Sequence, residues 1–394
     1  MIDKRLQAYR TYQRFLKIVL TIGGCWHIPT KSSKFKYYWS FCMLLAMAMY
    51  ATCTLNLVYN YKHNFSIFIK YVGVAVSAIG VTIKMTIFLI NRDSLINFHR
   101  TLNDFFEEEL MQNEKIRTII FSSLRKVYSM GYAYVTIVTA LVIVHIIPTY
   151  LYIIRDLCHL RLTTNYTLPL SKGYGYSWTI PDNFLYHLHL LIETILLFLS
   201  ITTTGGVDSV FGFYAYQFTS MMHAMTFRFM NPLSTEKFLD LLKKNIKKHK
   251  KLLRCRDTLE HIYGPIIFYH TVTSAILLCS LIYELVHIST FNINNVSQFL
   301  TYTIVKLLQM FMYAWSGTML TTASEDFRNG IYFSEWPNSA LDCHVRTNVT
   351  LVMMQKPMTI NAVFSSVNIV LFTNFVNTTM SYFFLLRSIE DKNG

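Results

Sequence analysis

Val127–Ile154 reads VYSMGYAYVTIVTALVIVHIIPTYLYII, without a single Asp, Glu, Lys or Arg. Roughly 20 apolar residues carry a helix across a ~30 Å hydrocarbon core, so this stretch can span a membrane with length to spare. Arg125-Lys126 precede it and Arg155-Asp156 follow it. Six further stretches of the same kind lie around it, at 37–59, 66–90, 184–207, 262–289, 299–322 and 357–386. Only helices satisfy their backbone hydrogen bonds within a single span. The predicted class is therefore an all-α, polytopic membrane protein with seven transmembrane helices. These use most of the 394 residues, so 1–394 is read as one membrane domain.

Basic residues crowd into alternate gaps between the spans. One set holds 8 Lys+Arg before the first span and 6, 10 and 3 in the second, fourth and sixth gaps. The other set holds 1, 3 and 0 in its gaps and 2 in the tail. Lys and Arg are retained on the cytoplasmic face, which predicts the N-terminus inside and the C-terminus outside. The net charge of +14 then reflects loops facing the anionic lipids of the inner leaflet. No zinc spacing or nucleic-acid motif accompanies it, so no nucleic-acid partner is expected.

Catalysis is not expected either. His187 and His189 stand two residues apart, about 200° around a helix, and do not converge on one metal. There is no Walker loop, HExxH or GxSxG. No catalytic residue, metal or cofactor is predicted. Only Cys158 of the seven cysteines falls in an expected outer loop, so no disulfide framework is expected.

Outside the spans, 1–36 is polar and basic, with one apolar segment, Phe15–Pro29, too short and too interrupted to span. It is expected to be interfacial or re-entrant. The region 184–262 is read as a long fourth helix plus a basic cytoplasmic segment. A break at Gly205-Gly206 would make eight spans and put the basic loop outside, against the charge rule. Residues 95–110 and 238–259 have helical apolar spacing. They fit helix extensions packed below the membrane as a cytoplasmic anchor, or a membrane-surface or calmodulin-type segment. Sequons at Asn64, Asn165 and Asn295 fall in expected outer gaps and are glycosylation candidates.

Ionisable groups inside spans are costly. His145, His187, His189, Glu193, Glu284 and Lys306 lie in outer halves. Lys306 is expected to pair with Glu193 or Glu284, either to fix helix register or as the polar wall of a ligand cavity. Lys84, near an inner end, is expected to snorkel. Outer-half aromatics, among them Phe68, Tyr71, Tyr152, Tyr283 and Tyr302, suit an apolar cavity for a small volatile or lipophilic molecule. Asn374, Thr378, Ser381 and Leu385 share one face of the seventh span, and Ile389 continues it. That face fits a water-filled path with an apolar gate or polar packing between helices. Pro357 stands where the seventh helix is expected to start, and 357–389 is read as that helix.

Leu307–Asn338, with Ala314-Trp315-Ser316, Ser324-Glu325 and Trp336-Pro337, resembles the sixth helix and following loop of insect odorant receptors. Gln355-Lys356-Pro357 resembles the entry to their seventh helix, and Ser381-Tyr382-Phe383-Phe384-Leu385-Leu386 their tail. The resemblance implies the odorant-binding subunit of a ligand-gated, non-selective cation channel. It would work in a heterotetramer with a co-receptor, in the plasma membrane of olfactory-neuron dendrites. It places the gate at Leu385. It implies an outer-half pocket, for which Phe68, Tyr71, Ala75, Val144, His145, Pro148, Tyr152, His187, Leu191, Tyr283, Tyr302 and Met310 are the candidates. The chain lacks the co-receptor's long insertion between helices four and five. It also lacks the TYhhhhhQF signature of gustatory receptors, where Thr379-Met380-Ser381-Tyr382 leads on without a Gln. A gustatory-type channel and a G-protein-coupled chemoreceptor remain the alternatives.

Overall fold

A computed structural model of the chain describes residues 2–26, 33–63, 65–157, 184–232, 238–286, 293–334 and 343–393. Seven long helices overlap the seven expected spans, the seventh only in part. They are α2 (Ser33–Asn60), α3 (Phe65–Ile90), α6 (Leu124–Leu157), α7 (Phe184–Met230), α8 (Phe238–Val286), α9 (Ile293–Tyr332) and α11 (Ile369–Asn393). The remaining helices are α1 (Ile2–Ile22), α4 (Arg92–Leu110), α5 (Glu114–Ile120) and α10 (Cys343–Met354). Among the described residues, Tyr37–Asn60, Tyr71–Ile90, Glu114–Val144 and Tyr186–Met230 are long and apolar enough to cross a membrane, and Ile369–Leu385 is apolar but shorter.

α7 is the central post. Its 47 residues make a rod of ~70 Å at 1.5 Å per residue, more than twice the hydrocarbon core. Every residue from Gly205 to Met222 is buried, and α7 packs most extensively against α9 and α6. The Gly205-Gly206 pair does not break it. A Cβ on Gly205 would meet Val135 of α6 at 3.2 Å, and one on Gly206 would meet Val19 and Leu20 of α1 at 3.1 Å. The glycines let two helices approach α7 closely.

Of the apolar segment expected at Phe15–Pro29, Phe15–Ile22 forms the last turns of α1, which ends in the Gly23-Gly24 turn; residues 27–29 lie outside the described residues. α1 lies along α7. Tyr9 stacks between Phe106 and Phe213 at 4.9 and 5.5 Å, and its hydroxyl accepts from Gln217 Nε2 at 2.9 Å.

Both amphipathic segments are helical. Residues 95–110 belong to α4. Residues 238–259 are the first half of α8, which continues without interruption into the fifth span. Leu241, Leu242, Leu252 and Leu259 are buried, while Lys243, Lys244, Lys247 and Lys250 are exposed. α4, α7 and α8 are tied at Glu109, which receives Arg228 and Lys248, and Lys248 also reaches Glu108 at 3.1 Å. α5 ends under α7, where the Ile120 carbonyl accepts from Tyr216 (2.9 Å) and Ser220 (3.2 Å).

The seventh helix begins later than the sequence suggested. α10 ends at Met354, and residues 356–360 run without regular structure past Pro357. Asn361–Ala362 and Ser365–Ser366 then pair as a two-stranded antiparallel hairpin. Pro357 has no N–H and restricts the residue before it, so it ends one helical segment rather than starting the next. Asn368 Oδ1 accepts from Leu371 N at 3.0 Å and opens α11. The hairpin is docked on two spans. Glu260 of α8 accepts from Asn361 N at 3.0 Å, and Ser324 of α9 accepts from Met358 N at 2.8 Å. Gly317 of α9 lies against the same segment, where a Cβ would stand 1.9 Å from the Val367 carbonyl oxygen.

Candidate ligand cavity and its polar floor

A carboxylate in the middle of the helical core needs donors on every side. Asp208 of α7 is 1% exposed, and four side chains from three other helices reach it. Lys84 of α3, itself fully buried, approaches Oδ1 at 2.6 Å. Tyr134 of α6 donates to Oδ2 at 2.7 Å. Gln309 and Tyr313, one turn apart on α9 and so on one face, donate to Oδ2 at 2.7 Å and to Oδ1. An ionised carboxylate offers about four lone-pair sites, and all four are taken. Lys84 therefore does not snorkel. It is the counter-charge of a buried hub joining α3, α6, α7 and α9.

A mostly apolar cavity lies beside this hub and shares Gln309 with it. Its volume is ≈ 110 Å³ counted for the centres of water-sized spheres. One water needs ~10–15 Å³ on that measure, so there is room for a small organic molecule. Val74, Ala78 and Val81 of α3, Val138 and Val142 of α6, and Leu197 and Ile201 of α7 make the apolar walls. Tyr50 of α2, His270 of α8 and Tyr302, Lys306 and Gln309 of α9 bring polar atoms to it. Tyr302 is fixed, since its hydroxyl donates to the Gly73 carbonyl at 2.9 Å and hydrogen-bonds Ser77. Lys306 Nζ lies over the Tyr302 ring, 5.6 Å from its centre. Asp208 is an acid whose charge acts on Lys306; the side chain of Glu284, one of the two partners expected for that lysine, lies outside the described residues. His270 is 4% exposed, and neither of its ring nitrogens has a hydrogen-bond partner among the described residues.

Residues 64–380 match the family model described as 7tm odorant receptor. The chain belongs to that family. Drosophila melanogaster odorant receptors 13a and 9a are 24% and 23% identical to this receptor over 208 and 193 residues. Each alignment covers 48% of this chain, and 50% and 49% of the relative. The chain thus matches about half the length of these curated relatives. The odorant receptor coreceptor of Aedes aegypti is 25% identical over 146 residues, 37% of this chain and 30% of that one. The solved structure of the insect olfactory receptor OR5 from Machilis hrabei in complex with eugenol superposes with a TM-score of 0.79. That match covers 98% of this chain and 100% of OR5 at 15% identity, a likeness of fold.

Of the residues expected to line a pocket, Tyr302 is in the receptor's cavity wall. Tyr71 and Ala75 are buried on α3 outside that wall, Tyr71 stacked on Tyr61 at 5.0 Å. Phe68 and Val144 are half-buried. His187 and Leu191 are exposed on α7. Met310 is buried in a separate cluster with Leu278 and Phe375. The side chains of His145, Pro148, Tyr152, Tyr283 and Glu284 lie outside the described residues, as do Asn64 and Asn165. Asn295 stands in the first turn of α9, its side chain also undescribed.

On α11, Phe375, Thr379 and Phe383 form the buried edge. Asn374, Thr378, Ser381 and Leu385 are all exposed on the isolated chain. The Ile389 side chain lies outside the described residues.

Sequence reasoning missed Asp208, His270 and Tyr50. Two lysines in apolar helices did signal that buried acids must answer them. Asp208, beside a glycine pair that brings helices close, was the acid best placed to do so.

Proposed function

We propose that this receptor is the odorant-tuned subunit of a ligand-gated, non-selective cation channel in the plasma membrane of olfactory neurons. It would assemble with a co-receptor subunit in a heterotetramer, with the N-terminus inside and the C-terminus outside. The observation that carries this reading is the largely apolar cavity between the helices, with a few polar groups on its wall. Small-molecule sites have this character, and the Machilis receptor of the same fold was solved with eugenol, a small molecule.

The chain offers a physical route from cavity to gate. α9 carries Tyr302 and Lys306 on the cavity, then Gly317 and Ser324 against the segment that leads into α11. An odorant that fits one arrangement of α9 better than another shifts the population of that arrangement, by no more than its difference in affinity. The docked segment passes that shift to α11. In the assembly, the exposed stripe from Asn374 to Leu385 faces the conduction path, with Leu385 as the apolar constriction.

The test is current in cells expressing the receptor with and without an insect co-receptor, recorded against a panel of volatile odorants. An odorant response found only with both subunits supports the reading. Odorant-independent current in every combination counts against it.

A further inference from the structure

We propose that the cavity takes a small apolar ligand ending in a carboxylate, held by Lys306 and His270. The inference rests on the cavity being the ligand site of the reading above, and it names the chemistry that site selects. Lys306 and His270 are 6% and 4% exposed, and both line the cavity. Asp208, whose charge acts on Lys306, is already engaged: it receives Lys84, Tyr134, Gln309 and Tyr313. Among the described residues, Lys306 Nζ has the Tyr302 ring beneath it and no hydrogen-bond acceptor. Glu193, one turn from Leu197 on α7, is not part of the cavity wall; its charge acts on Tyr50 and Tyr71.

A buried ammonium without an acceptor is costly, and so is a buried imidazole with both nitrogens unpaired. One carboxylate answers the ammonium and one imidazole nitrogen, accepting from Lys306 on one oxygen and from a His270 N–H on the other. The remaining wall is Val, Ala, Leu and Ile, which suits an alkyl chain. A neutral ester offers a carbonyl acceptor but no charge, and an alcohol offers less. Hydrogen bonds to charged groups are stronger than neutral ones. The expected difference is about tenfold in affinity, or about 1.4 kcal/mol.

Concentration–response curves for hexanoate, methyl hexanoate and 1-hexanol, recorded with co-receptor present, test this. Hexanoate is expected to half-activate at about one tenth of the concentration the ester needs. In Lys306→Met the acid-to-ester preference disappears, in Lys306→Arg it survives, and His270→Phe reduces it. Thermal stabilisation of the purified receptor–co-receptor complex by acid and by ester reads the same preference without current. Equal potency of acid and ester in the unmodified receptor overturns the proposal and leaves the channel reading intact. So does a Lys306→Met variant that loses acid and ester responses by the same factor. Stabilisation by hexanoate with no current from any odorant sustains the carboxylate site and sinks the channel reading.

Discussion

The Asp208 hub makes a sharp prediction about stability. Lys84→Met removes the counter-charge and leaves a carboxylate with three neutral donors in a site that is 1% exposed. Removing one partner of a buried pair costs ~3–5 kcal/mol. Asp208→Asn is expected to cost at least as much. It strands the Lys84 ammonium and turns one acceptor oxygen into a donor facing other donors. The double variant Lys84→Met/Asp208→Leu removes both charges together. Apolar replacement of a buried pair is often close to neutral, so the double variant is expected to lose less than the sum of the singles. Residues this close are not additive. The assay is thermal unfolding of the purified receptor, with the exposed change Lys250→Gln as the control, expected within ~0.5 kcal/mol. Singles that melt like the Lys250→Gln control, or a double variant that loses the full sum, refute the hub.

Leu385→Ala is expected to raise basal current or alter ion permeability, and unchanged gating and permeation in well-expressed channels counts against the assigned gate. Gly317→Ala must displace the segment before α11, because a Cβ meets the Val367 carbonyl oxygen at 1.9 Å. Overpacking of this kind costs ~1–3 kcal/mol, so a normal melting temperature together with normal odorant sensitivity contradicts the docking. Burial holds His99 and His249, outside the spans, at about 4 instead of 6.5. The unfolded chain therefore binds more protons between those values. Their contribution is complete above pH ~6.5, falls by up to about 1.4 kcal/mol per pH unit for each histidine as pH drops towards 4, and is flat below. His249→Phe, which keeps the stack on Phe327, is expected to flatten the melting-temperature profile in that window; an unchanged slope goes against it. A tag after Gly394 is expected to stain intact cells, and staining only after permeabilisation would invert the topology.

The helices were largely legible because each rests on local information. Val127–Ile154 declares a span by its own composition, and the basic face of 238–259 declares a helix by its own period. The start of α11 was not legible, because Glu260, Gly317 and Ser324 on other helices fix the hairpin that delays it. The hub was hidden for the same reason. Tyr134, Lys84 and Gln309 lie 74, 124 and 101 residues from Asp208, and no periodicity links them. Aromatics were a poor guide to the cavity. Tyr71 fills space and stacks on Tyr61, while Val, Ala and Ser leave space. Lys306 was legible as costly and deep, but its surroundings were not, since depth along a helix says nothing about which neighbour faces it.

In the proposed function, ligand occupancy of this receptor opens an ion path in the same assembly. This is tested most directly in outside-out patches from cells expressing the receptor and co-receptor, with no GTP or ATP on the cytoplasmic side. Single-channel openings are expected on odorant application, lost when Ser200→Trp fills the cavity and retained when the patch is washed free of nucleotides. Openings that vanish without GTP, or that persist undiminished with the cavity filled, would contradict it.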